Sequence, residues 1–327
     1  MMKLVMVGLH SGWLGLHLSH FCAAFQRRNI EVLKADYHRM GRLGGFLKTA
    51  GDAERRNRAL EKLVRRWRPD VILFVSQWHF DLLRVRSYFN GTVAVYDYDG
   101  PRRRTPEECH ALHEQKIDFF FTVSRWMQRK LKKNGMESVY LPHGVDTDYY
   151  APHAPNPRFA SPLSYIGRTT DRRIALCADI RKYGLALYGK RWSASPLCRK
   201  TGLADCIRMK RNAVGEELVD IYNSSHAVLS ILQEPLDKFH TILGIQCFAV
   251  PSTAGCLIAE AAEELPEAFE PGKEVLTFTA PEELAMWAEK CTKNPAFAKA
   301  VGQAGRRRCL AEHRWENRVD AFLRCLG

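Results

Sequence analysis

Short apolar runs with almost no polar interruption recur through the first half of the chain, at Leu4–Leu9, Ile30–Lys34, Val71–Val75, Thr92–Tyr96, Ile117–Val123 and Val139–Leu141. Runs of this length suit strands covered on both faces. Between them lie amphipathic stretches. Leu14–Arg28 carries apolar residues at Leu14, Leu16, Leu18, Phe21, Ala24 and Phe25. Asp52–Arg68 gathers Leu60, Leu63, Val64 and Trp67 into a stripe before Pro69 stops it, and Ser124–Asn134 opens on a serine cap and ends at Asn134-Gly135. Alternating strands and helices with short connections predict a parallel, doubly wound sheet with right-handed crossovers.

The second half repeats the pattern. Strands are expected at Ser164–Gly167, Leu185–Tyr188, His226–Leu232, Cys256–Ala259 and Val275–Phe278, and helices at Arg172–Tyr183, Glu216–Ser224, Ile242–Val250, Pro281–Cys291, Pro295–Glu312 and Trp315–Leu326. No sequence repeat of roughly 20–50 residues is present. Between the halves runs Tyr140-Leu-Pro-His-Gly-Val-Asp-Thr-Asp-Tyr-Tyr-Ala-Pro152. Pro142 ends a strand, Gly144 allows a tight turn, Asp146 and Asp148 can accept from nearby amides, and the prolines that follow keep the chain extended. Such a segment is either an ordinary turn or a taut junction between domains.

At 327 residues the chain has the length of two domains, and an apolar content of 46% is ordinary for globular proteins. No apolar run reaches the roughly 20 residues of a spanning helix. The N-terminal Met-Met-Lys-Leu-Val-Met-Val-Gly-Leu reads as a first buried strand and lacks a signal-peptide cleavage pattern. Ten cysteines are scattered without a C-x-x-C pair or zinc-finger spacing, which points to a reduced, cytoplasmic setting. The net charge of +13 is uneven: residues 1–157 hold 25 Lys and Arg against 16 Asp and Glu, residues 158–327 hold 24 against 20. The clusters Arg65-Arg66-Trp67-Arg68, Arg102-Arg103-Arg104 and Arg129-Lys130-Leu131-Lys132-Lys133 are either solvated surface or a face for an anionic partner. That partner would be a membrane surface with the protein attached peripherally, a lipid-linked phosphate, or nucleic acid.

In open parallel sheets ligands bind beyond the carboxyl ends of the strands, so the residues after each strand are the candidates. The first exit is Gly8-Leu-His-Ser-Gly-Trp-Leu-Gly15, glycine-rich but without dinucleotide-fingerprint spacing. There His10, Ser11 and Gly12 could face an acceptor or a phosphate, or His10 could be structural. Ser76-Gln-Trp-His79 and Asp97-Tyr-Asp99-Gly-Pro101 follow later strands. Asp97, Asp99 and His79 are candidate proton acceptors, with a self-capping turn as the alternative for the two aspartates. In the second half, Tyr165-Ile-Gly-Arg-Thr-Thr-Asp171 offers Arg168 for bidentate contact with a diphosphate beside Gly167.

Several of these segments resemble GT-B glycosyltransferases, enzymes that move a sugar from a nucleotide donor. The central segment is similar to P-x-G-V-D-x-x-x-F-x-P. Tyr188-Gly-Lys-Arg-Trp192 resembles the Y-G-x-x-W of the CgeB-like (spore-maturation-type) group. Glu216–Ser230 resembles E-E-L-x-x-I-Y-N-x-A-x-I-x-L-N, and Gln246–Glu260 aligns without gaps to R-x-F-E-x-x-A-x-G-G-x-L-x-T-E. Leu265–Phe278 follows L-x-x-x-F-x-P-G-K-E-V-x-x-Y. The resemblance covers most of residues 115–290.

It implies an α/β fold of two Rossmann-like doubly wound domains facing each other across a cleft. Residues 1–155 would be the acceptor domain and 156–312 the nucleotide-sugar donor domain, with a helix at 313–327 packing back on the first. It implies a hexosyl or related transferase with a nucleotide-diphosphate sugar as co-substrate and no metal or other cofactor. Donor contacts would fall to Gly167, Arg168, Gly189, Lys190, Gln246, Thr253, Gly255 and Glu260. Arg168 would stabilise the leaving diphosphate, Asp99 or His79 would take the acceptor proton, and His10, Ser11, Gly12 and Asp97 would line the acceptor side. The chain departs from the pattern where it matters: the ribose-holding Glu falls on Ala249, the Arg on Gln246, and an earlier Glu on Thr241. Glu260, Gln246 or Thr241 would substitute, or the donor would bind differently, or the protein would be an inactive binder. A nucleic-acid-modifying transferase of phage type is the other alternative.

Overall fold

The computed structural model describes residues 1–40, 50–76, 80–99, 116–232 and 242–327, with the backbone alone for Trp13 and residues 50–52. The chain divides into two compact units, Met1–His143 with Trp315–Gly327, and Gly144–Arg314.

Each unit is built on one six-stranded sheet, parallel throughout. The first contains β1 (Lys3–Gly8), β2 (Glu31–Asp36), β3 (Val71–Val75), β4 (Thr92–Asp97), β5 (Phe119–Thr122) and β6 (Val139–Tyr140), in the order β2-β1-β3-β4-β5-β6. The second contains β7 (Ser161–Ile166), β8 (Leu185–Tyr188), β9 (Ile207–Met209), β10 (Ser225–Ser230), β11 (Cys256–Glu260) and β12 (Leu276–Phe278), in the order β12-β11-β10-β7-β8-β9. Every residue of β3, β8 and β11 is buried, as the unbroken apolar runs require. In both sheets the chain reverses its direction of travel beside the first strand: between β1 and β3 in one, between β7 and β10 in the other. Those are the two switch points where an open α/β sheet leaves a crevice at its carboxyl edge.

The helix Gly12–Arg27 buries Leu18, Phe21, Cys22 and Phe25 completely. The final helix, Trp315–Leu326, lies in the same unit and meets it through Phe21 stacked on Trp315 (4.6 Å between ring centres) and Phe25 edge-on to Phe322 (5.4 Å). Exposed pairs, Arg28 with Asp320 and Arg27 with Glu316, rim this contact. Such surface pairs contribute about 0–1 kcal/mol each, whereas burying one large aromatic contributes roughly 2–3 kcal/mol, so the apolar seam holds the helix. Arg318 of this helix donates Nε to the carbonyls of Pro142 (3.0 Å) and His143 (3.2 Å), fixing the segment that follows β6.

Four departures from the sequence reading have local causes. The helix Leu82–Tyr88 is short, and Asp81 caps it by accepting from the Arg84 amide. β9 is a three-residue edge strand set between Asp205 and Lys210, without the apolar run that marks a covered strand. The helix expected at Ile242–Val250 is Gln246–Ser252 and carries Pro251 inside it. The long helix expected at Pro295–Glu312 ends at Arg308 and widens into a π-type turn over Cys309–His313. Among the described residues no helix is long and apolar enough to cross a membrane.

Candidate functional site

At the switch point of the second sheet, β7 runs out through Gly167 and Arg168 into the helix Asp171–Ile180, whose N-cap Thr170 accepts from the Arg173 amide at 3.3 Å. Arg168 is exposed, and its guanidinium makes no hydrogen bond or ion pair with a described residue. Its carbonyl, by contrast, is held by Nη1 of Arg173 (3.0 Å) and by the buried Tyr165 hydroxyl (3.5 Å). Burial raises the Tyr165 phenol above its ordinary range, so it stays protonated as a donor. A fixed backbone carrying an uncommitted cation is what a phosphate contact needs.

β8 ends beside the same loop. Gly189 has φ +153°, and a Cβ there would lie 2.1 Å from the Gly167 carbonyl oxygen. Only glycine permits this approach. Trp192, fully buried, donates its indole N–H to that same carbonyl at 3.0 Å. The sequence pattern Y-G-x-x-W is thus a device that locks the β8 exit onto the β7 exit. Lys190, next to Gly189, is exposed.

Two arginines that the sequence reading passed over, Arg172 and Arg173, organise the other side. Arg173 donates Nη2 (2.8 Å) and Nε (3.2 Å) to the Ile231 carbonyl beyond β10. Arg172 forms a two-pronged ion pair with Glu260 at the end of β11, one prong at 3.0 Å, and reaches the Leu232 carbonyl at 3.3 Å. Three arginines within six residues after a strand were the available signal. Glu260 is 5% exposed, and its carboxylate also accepts from the Leu232 amide at 2.9 Å. Gln246 begins its helix and donates Nε2 to the Leu229 carbonyl at 3.1 Å. Ala249 is buried in that helix, and Thr241 lies outside the described residues.

Thr253 and Gly255 do not belong with this group. They precede β11, so they sit at the amino edge of the sheet, whereas Gly167, Gly189 and Glu260 sit at the carboxyl edge. The five residues of β11 separate the two edges by roughly 13 Å. Thr253 is buried and donates to the Val250 carbonyl at 2.8 Å, and Gly302 packs so closely on this turn that a Cβ would lie 2.1 Å from the Ala254 oxygen. The turn serves packing.

In the first unit, the exit of β1 places Gly12 at φ +64° with Ser11 before it, both exposed. His10 is partly buried and its Nε2 lies 3.0 Å from the Met6 carbonyl, so Nε2 carries the proton in the neutral ring. Burial lowers its pKa, opposed by that carbonyl. Asp97 is fully buried and accepts from Thr122 Oγ1 at 3.5 Å, which removes it from the acceptor face assigned to it by sequence. Asp99 is only partly buried and accepts from Ser76 Oγ at 3.4 Å, with Ser76 itself in a left-handed conformation (φ +50°). Of the two carboxylates Asp99 is the accessible one. His79 and Arg102–Arg104 lie outside the described residues. Among the described residues no group of three or more His, Cys, Asp or Glu could hold a metal ion.

Residues 170–324 match the family described as glycosyl transferase-like. No curated protein matches the chain by sequence. Solved structures match it end to end at low identity. Sucrose-phosphate synthase from Thermosynechococcus elongatus superposes with a TM-score of 0.74 at 14% identity, over 100% of this chain and 99% of that one. A glycosyltransferase from Rickettsia africae gives 0.72 at 13%, over 99% and 97%. Anabaena HepE in complex with UDP and glucose gives 0.69 at 11%, over 100% and 99%. With two parallel six-stranded sheets and these matches, the chain has the GT-B glycosyltransferase fold, and its residues 170–324 carry the sequence pattern of the glycosyl transferase-like family.

Proposed function

We propose that this protein is a glycosyltransferase of the CgeB-like kind that moves a hexosyl or related sugar from a nucleoside-diphosphate donor to an acceptor hydroxyl. The observation that carries this is the exposed guanidinium of Arg168, without a partner among the described residues, on a backbone fixed from three sides, at the switch point of the sheet whose unit holds most of the family match. Arg168 stabilises the leaving diphosphate. The close approach of Gly167 and Gly189 lets the donor lie against bare backbone, Lys190 adds a second cation, and Gln246 supplies a carboxamide in place of the absent Arg. HepE is seen with UDP-glucose, which supports a donor of this class. Asp99 is the base of choice in the first unit if the reaction inverts. The acceptor is anionic: the helix Arg125–Lys133 has five basic residues and no acidic one, with Lys130, Lys132 and Lys133 exposed.

The buried Ala249 favours a second reading, an inactive nucleotide binder. Thermal stabilisation by UDP, GDP, TDP and ADP, together with donor hydrolysis measured for the corresponding sugars, separates the readings. Stabilisation with turnover supports transfer, and stabilisation without turnover supports the binder. No response to any nucleotide rejects both. Binding to DNA that falls steeply with salt would make nucleic acid the acceptor.

A further inference from the structure

Glu260 stands where a carboxylate could replace the missing ribose contact, yet both of its oxygens are already engaged. Arg172 grips it with two nitrogens and the Leu232 amide takes up Oε2. Its side chain is 3% exposed, against 29% for Arg172, so the arginine is the outward member of the pair. Arg172 also binds the Leu232 carbonyl, so both polar groups of that one peptide unit's residue are held by the pair. Arg173, the next residue, takes the Ile231 carbonyl twice and the Arg168 carbonyl once. The exits of β7, β10 and β11 are thereby tied to one another through two consecutive side chains of the helix Asp171–Ile180.

We infer that Arg172 and Glu260 are a positioning pair: gripping each other, they hold the amide and the carbonyl of Leu232 at the β10 exit, and neither is itself a ligand of the donor. This rests on the donor reading given above for what is positioned, namely Arg168 and the backbone around it. The physical reason is geometric. A two-pronged Arg–carboxylate contact fixes orientation as well as distance, and a misplacement of about 1 Å at a binding group costs as much as 10²-fold in rate. A buried carboxylate without its arginine would be an uncompensated charge, so the two residues stand or fall together.

The test has two readouts on Glu260→Gln, Arg172→Gln and the double variant, with Arg172→Lys as the conservative change. The first is hydrogen exchange of the peptide spanning Leu229–Leu232, which requires no ligand. Faster exchange there in both single variants, with β11 unchanged at Ile258, is expected. Unaltered protection in both overturns the brace, and global loss of protection in Glu260→Gln moves the comparison to Arg172→Lys, whose exchange must then rise locally. The second is affinity for whichever of UDP, GDP, TDP or ADP stabilises the wild type. Each single variant is expected to weaken binding roughly tenfold, and the double variant no further than the worse single. If the losses multiply instead, Glu260 touches the nucleotide directly and the inference fails. If no nucleotide binds the wild type while exchange responds as expected, the donor reading fails and the brace stands.

Discussion

After β1 the chain turns through Gly8, His10 and Gly12 and lays the helix Gly12–Arg27 so close that a Cβ on Gly15 would be 2.4 Å from the His10 carbonyl carbon. After β7 the chain turns through Gly167 and Arg168 into a helix whose first turn carries Arg172 and Arg173. The two loops hold the same place in sheets of the same kind, each beside the switch point. The first holds no Lys, Arg, Asp or Glu, and burial lowers the pKa of its histidine; the second concentrates three arginines. This reverses the order of net charge, since the N-terminal half is the more basic of the two. Bulk charge and site charge are different quantities. Much of the first unit's excess lies on helix faces, such as Arg125–Lys133, where water solvates it, whereas two of the three arginines after β7, Arg172 and Arg173, are fastened to carbonyls and one carboxylate. Charge of the first kind acts at long range, and charge of the second kind is preorganised.

The sharpest way to break this contrast is Arg168→Ala. On the proposed role of Arg168 at the leaving diphosphate, a single contact of this kind is worth about 10²–10³ in rate. Turnover is expected to fall by that factor, while the melting temperature stays the same because the guanidinium makes no hydrogen bond or ion pair with a described residue. Arg168→Lys should recover part of the loss, since a point charge replaces the two-pronged contact. A full-rate Arg168→Ala enzyme would remove the chemistry from the β7 exit altogether.

Next in size is Gly189→Ala. The added methyl meets the Gly167 carbonyl oxygen at 2.1 Å, and φ +153° is strained for any side chain. A loss of about 3 kcal/mol in urea denaturation is expected, with weakened nucleotide binding in whatever folds. A variant of wild-type stability would mean that the β7 and β8 exits are not locked together as described.

These two positions also show what a reader of the sequence could and could not see. Val71–Val75, Leu185–Tyr188 and Trp315–Leu326 have the predicted bounds because each is an unbroken apolar run or a strongly amphipathic stretch between clear stops. Gly167, Arg168 and Gly189 could be picked out as candidates because each lies within two residues of the end of such a strand. Thr253 and Gly255 were misplaced for the converse reason: a glycine turn looks the same in sequence whether it enters a strand or leaves it, and only the direction of β11 decides which edge it occupies. Asp97 is the last residue of β4 and is buried, whereas Asp99 lies two residues beyond the strand's end and is only partly buried, so two residues of identical chemistry acquire different fates. Arg172 and Arg173 escaped because a helix's first turn usually faces solvent, and their partners lie 58 to 88 residues away in the chain.

The first unit has its own mark, and it is acid. Burial lowers the pKa of His17 to about 3 from near 6.5, with a smaller push from His20. The folded unit keeps this ring neutral where the unfolded chain takes up a proton. Its contribution is therefore complete above pH 6.5 and is lost as the pH falls towards 3, at about 1.4 kcal/mol per unit. Between pH 7 and pH 5 roughly 2 kcal/mol of the first unit's stability should disappear, measured by urea denaturation at each pH. His17→Leu should flatten that slope. A variant that keeps it would trace the acid sensitivity to another group.

The smallest effect comes from Gly12→Ala, the counterpart of Gly189→Ala at the β1 exit. Both glycines have positive φ, but around Gly12 a Cβ would meet nothing within 4 Å. The penalty is then the left-handed backbone alone, about 1 kcal/mol, partly offset because alanine restricts the unfolded chain. A difference of about 2 kcal/mol between the two glycine variants is the expected result. It follows that a loop can need glycine for its shape without needing it for proximity, and that at the β7 and β8 exits proximity is the requirement. A loss at Gly12 as large as that at Gly189 would mean that something packs on the β1 exit as closely as Gly167 packs on Gly189, and the two exits would then be alike.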